Sequence, residues 1–67
     1  MKESARFSTT IARDTLRECV VEIERIEALG WSTRGITDYW RHKVYNAAAG
    51  YSMMVELRVE FVKEIEL

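Results

Sequence analysis

Residues Ser52 to Leu67, SMMVELRVEFVKEIEL, decide the fold, because they can be read with a period of two or of 3.6. Odd positions from 53 to 67 hold Met53, Val55, Leu57, Val59, Phe61, Lys63, Ile65 and Leu67, seven apolar of eight. Even positions from 52 to 66 hold Ser52, Met54, Glu56, Arg58, Glu60, Val62, Glu64 and Glu66, six polar of eight. A half-buried strand requires that alternation, since successive side chains point to opposite faces. A helix would gather Met54, Leu57, Phe61 and Ile65 on one stripe. It would strand Val55, Val59 and Val62 beside it and set Glu56/Glu60 and Glu60/Glu64 at repulsive i,i+4 spacing. The spacing predicts a long C-terminal strand.

A strand needs a neighbour, and within the chain the segment from Ala5 to Ile11 offers one. Ala5, Phe7, Thr9 and Ile11 alternate there with Arg6, Ser8 and Thr10. From Ala12 to Leu29 the period changes: Ala12, Leu16, Cys19, Val20, Ile23 and Ile26 fall on one helical stripe, opposite a charged face that includes the pairs Asp14/Arg17 and Glu22/Arg25. A second helix is expected from Thr37 to Ala49, with Thr37 as N-cap, Trp40, Val44 and Ala47 or Ala48 inward, and Gly50 as the terminating glycine. Gly30 and Gly35 bracket the connection Trp31-Ser32-Thr33-Arg34. The expected fold is α+β, one domain over residues 1–67, with an N-terminal strand, two helices and a long C-terminal strand. The alternative is an all-α three-helix bundle.

The chain has 67 residues, 48% of them apolar, and a net charge of −1. A core this small rarely stabilises a fold by more than about 3–5 kcal/mol without a staple. A single cysteine excludes an intrachain disulfide, and one Cys with one His cannot make a structural zinc site. Self-association remains, and a homodimer that widens the sheet is expected. No targeting segment, no membrane span and no cofactor is expected, and the cysteine usage fits a reducing, cytoplasmic compartment.

No catalytic constellation is legible. The three glycines match neither a P-loop nor a dinucleotide fingerprint, and the eleven acidic residues read as solvated faces. Cys19, on the apolar stripe, reads as a buried inert thiol, and His42 as a surface imidazole. The local anomaly is the block from Trp31 to Tyr51. It holds Trp31, Tyr39, Trp40, Tyr45 and Tyr51, five of the seven aromatics, with Arg34, Arg41 and Lys43 against one Asp38. Trp, Tyr and Arg dominate binding hot spots, and the same mixture suits phosphate contact with base stacking. The other reading is that the large aromatics fill the core of a tiny domain. The expected function is a small non-enzymatic binding or regulatory protein of the inhibitor or adaptor type. It would act stoichiometrically on another protein through Trp31, Arg34, Tyr39, Arg41 and Lys43.

The run Arg6-Phe7-Ser8-Thr9-Thr10-Ile11, followed by a helix, the turn Gly30-Trp31-Ser32 and a second helix, resembles the ribbon-helix-helix family of dimeric DNA-binding repressors. The resemblance covers residues 5–49 and leaves the C-terminal strand outside. It implies an alternative function as a transcriptional regulator that places Arg6, Ser8 and Thr10 in the major groove.

Overall fold

The C-terminal segment is one strand and the centre of the fold. In the computed structural model, which describes residues 1–67, the chain forms β1 (Lys2–Arg13), α1 (Leu16–Glu27), β2 (Ser32–Asn46) and β3 (Gly50–Glu66). The strands make an antiparallel sheet in the order β1-β3-β2. β1 pairs with β3 as expected, Phe7 opposite Phe61 and Ile11 opposite Leu57. Alternation on β3 then sends Val55, Leu57, Val59 and Phe61 to one face, where each is 0–3% exposed. The helix lies on that face. Cys19 and Ile23 complete the buried core with Ile11, and Phe7, Ile26 and Trp31 pack around it.

α1 starts later than its apolar stripe suggests. Ala12 and Arg13 belong to β1, opposite Glu56 and Val55, because pairing with β3 continues past the end of the alternating segment. Thr15 caps the helix: its Oγ1 accepts from the Glu18 amide at 3.2 Å. Gly30, at φ +98°, turns the chain after the helix.

The second expected helix does not form, and two helices are therefore corrected to one: residues 32–46 are strand β2 along the other edge of β3. Two bulges explain the misleading period. Register shifts at Arg34 and at Thr37 place Thr33, Ile36 and Tyr39 opposite Phe61, Val59 and Leu57, so a strand carries same-face residues three apart, as a helix would. The expected N-cap, Thr37, instead donates its hydroxyl to the Arg58 carbonyl at 3.3 Å. The alanine run 47–49 is the hairpin loop, closed by the Asn46 side chain, which accepts from the Ala48 amide at 2.9 Å. Gly50 has φ +79°, the left-handed conformation that serves a hairpin loop as well as a helix end.

The architecture is α+β and not a helical bundle. With β2 in place of the second helix, the ribbon-helix-helix arrangement is not formed. β3 also lies at the centre of the sheet, so any strand added by a second copy must join β1 or β2. Pairing to β1 covers only residues 55–66 of β3, and beyond it residues 42–54 project as a two-stranded hairpin. The molecule measures 54 × 19 × 15 Å.

Candidate binding surface

The five residues expected to form a binding site are divided by the fold. Tyr39, Arg41 and Lys43 lie along one face of β2, opposite Leu57, Val55 and Met53, on the side of the sheet that carries the helix. Lys43 Nζ stands 4.5 Å over the Tyr51 ring, which in turn meets Tyr45 at 5.2 Å, so a cation–aromatic row continues to the hairpin tip. Arg34 is on the opposite face, its Nε 3.8 Å from Glu60. Trp31 precedes the strand and is half-buried: its ring meets Phe7 edge-on at 4.7 Å, and Lys63 Nζ lies 5.7 Å away. The Lys63 ammonium donates to the Leu29 carbonyl at 3.3 Å. Trp31 thus anchors the root of β2 on the core and is separated from the row of Tyr39, Arg41 and Lys43.

The same face has an apolar component that the sequence reading assigned to the interior. Leu16 and Val20 belong to the helical stripe, yet they are 48% and 41% exposed, and Val21 beside them is exposed too. Their flank of the helix looks toward β2, as the bond from Thr33 Oγ1 to Glu27 at 3.0 Å shows. β2 presents exposed Ile36 and Tyr39 on that face. Leu16, Val20 and Val21, with Arg17 and Glu24, line a concavity of about 510 Å³ on the helix. The flank toward β1 differs: Glu22 holds Arg25 in a two-point ion pair and lies 3.6 Å from Arg13. The Arg25 hydrogen bond, with both arginine charges, holds the Glu22 carboxyl below its usual range.

The opposite face of the sheet is mostly polar. It carries Arg6, Ser8 and Thr10 from β1, Glu56, Arg58 and Glu60 from β3, and Trp40, His42 and Val44 from β2. His42 Nε2 lies 3.6 Å from Glu56, is shielded from solvent and has no hydrogen-bond partner. Cys19 is fully buried as expected, its sulfur 3.7 Å from the Val55 carbonyl oxygen and 4.0 Å from that of Ile11. Burial pushes its thiol pKa up. No three His, Cys, Asp or Glu side chains converge as metal ligands, and no helix is long and apolar enough to cross a membrane.

One face offers exposed aliphatic side chains, tyrosines and two cations without a carboxylate partner within 4.0 Å, beside an open strand edge. No family model, curated protein or solved structure matches the chain.

Proposed function

We propose that this chain is a small non-enzymatic binding protein of the inhibitor or adaptor type, acting by stoichiometric protein–protein contact, with a second copy of itself as one partner. One observation carries the reading: the chain exposes more surface than a self-sufficient monomer of its mass. Its accessible area is 5068 Å², whereas a compact 7.9 kDa monomer exposes about 4,400 Å². Its radius of gyration is 15.1 Å, against about 11 Å for a compact 67-residue domain. The excess of about 650 Å² approaches one partner's share of a standard interface, about 800 Å². Part of the chain is a hairpin that outruns β1, and two strands alone are marginal in water.

The contact surface is the helix-side face of β2 with the exposed flank of α1. Tyr39 contributes area at low entropic cost, and Arg41 and Lys43 give orientation and an electrostatic preference. Arg34 sits at the rim on the reverse face. Trp31 holds the root of the strand. The compartment in which the protein works is proposed to be the cytoplasm, since its one thiol is sealed and it has no disulfide.

Sedimentation equilibrium at micromolar concentration is the test. At least twice the chain mass is expected, lowered by Tyr39→Ala and by Arg41→Glu with Lys43→Glu. A monomer that unfolds with full cooperativity at every concentration would remove the reading.

A further inference from the structure

We propose that two copies of the chain join through their β2 strands, antiparallel and in a register centred on Trp40. Asp38 of each copy then stands opposite His42 of the other, and Tyr39 opposite Arg41. The proposal rests on the self-association reading above and names the strand and register by which it occurs.

Both β1 and β2 are edge strands with a free row of backbone donors and acceptors. The surroundings choose between them. Beside β1 the helix flank is occupied by the Arg13, Glu22 and Arg25 ion pairs, whereas beside β2 it exposes Leu16 and Val20, with Ile36 and Tyr39 on the strand itself. A two-fold axis normal to the sheet and running between two β2 strands yields six strands, β1-β3-β2-β2-β3-β1, with both helices on one side. Those apolar flanks then face each other across the seam.

Such an axis keeps like faces together, so a residue can oppose only residues an even number of positions away along the straight part of β2. The bulge at Thr37 bounds that part, which runs from Asp38 to Asn46. Charge then selects among the registers. Centring on Arg41 or on Lys43 sets that residue against its own copy, and centring on His42 sets Arg41 against Lys43 twice; like charges directly opposite oppose pairing. Centring on Tyr39 pairs only residues 38 to 40 within the straight part, and centring on Val44 sets His42 against Asn46 and Lys43 against Tyr45, bringing no carboxylate to a cation.

Centring on Trp40 sets no like charges opposite each other and keeps residues 38 to 42 of both copies paired within the straight part, Thr37 falling opposite Lys43 only beyond it. Asp38, which already faces Arg58 of its own sheet, gains His42 on its other side. The imidazole, which stands 3.6 Å from Glu56 without a hydrogen bond, gains a second carboxylate. Tyr39 meets the Arg41 guanidinium on the helix side, and the two Trp40 rings meet on the reverse face.

Cysteine cross-linking reads the register directly. Directly opposed residues have Cα atoms about 4.5–5.5 Å apart, inside the window of about 4.4–6.8 Å that a disulfide spans. Copies of residue 42 would lie about 13 Å apart in the proposed register, four residues along the strand. Trp40→Cys is therefore expected to form a disulfide-linked dimer under mild oxidation, while His42→Cys and the parent chain, with Cys19 buried, do not. Independently of any cysteine, Asp38→Lys is expected to weaken dimerisation about tenfold, and adding His42→Asp to restore it. A dimer in sedimentation that cross-links through residue 42 and not 40, or that ignores the charge exchange, would overturn the register and leave self-association standing. Absence of any dimer would overturn both.

Discussion

Cys19 tests the packing of the helix on the sheet, because it lies at the centre of that contact with no exposed surface. A thiol reagent reaches it only when the helix leaves the sheet, so labelling of the native chain reports the open fraction. A chain this small holds about 3–5 kcal/mol of stability, and each 1.4 kcal/mol is tenfold in the equilibrium. Labelling of the native protein is then expected to run about 10²–10⁴-fold slower than in denaturant. Cys19→Ser should cost about 1–3 kcal/mol, since a buried hydroxyl needs a partner. The sulfur is already 3.7 and 4.0 Å from the two nearest carbonyl oxygens, and the shorter C–O bond leaves the hydroxyl farther from both. The pH dependence has a definite sign. The folded-state pKa of the thiol is raised by burial, so its stabilising contribution is complete below the unfolded value of about 8.5 and is lost as pH rises from there through the folded value. Cys19→Ala should therefore lose less stability than the parent between neutral and alkaline pH. The assay is labelling with an aromatic disulfide reagent beside urea melts at several pH values. Labelling within tenfold of the denatured rate, with the circular-dichroism spectrum intact, would refute the reasoning.

Three further outcomes follow from the local geometry. Thr15→Ala removes the acceptor for the Glu18 amide and should cost about 1 kcal/mol in urea denaturation. Gly50→Ala meets no steric obstacle, yet it must adopt φ +79°, so a loss of about 1–2 kcal/mol is expected from backbone strain alone. Glu22→Gln should flatten the acid limb of the stability profile. The Glu22 pKa is lowered in the folded state, so its contribution is present above the unfolded value and lost as pH falls through the folded one, a difference that thermal melts from neutral to acidic pH would show.

The sequence by itself determined β1, α1 and β3, because each has one face toward the core and the other toward water. Alternation at Val55, Leu57, Val59 and Phe61, the matching alternation from Ala5 to Ile11, and the stripe through Cys19 and Ile23 are direct imprints of that one-sided burial. β2 was not legible for the complementary reason. Past Ser32 the strand carries bulky residues on both faces, Tyr39 and Arg41 on one and Trp40 and His42 on the other, so no alternation is written. The bulges at Arg34 and Thr37 shift its parity twice and imitate a helical step, and Gly50 fits a hairpin as well as a helix end. The site divides along the same line. That Trp31 to Tyr51 is unusual was plain from composition. Which residues share a surface was decided by the register of β2 on β3, which puts Tyr39, Arg41 and Lys43 together, Arg34 behind them and Trp31 against Phe7. Leu16 and Val20 show the same limit on the helix. Periodicity tells which side chains share a stripe, and only the breadth of the sheet beneath decides how much of that stripe is covered.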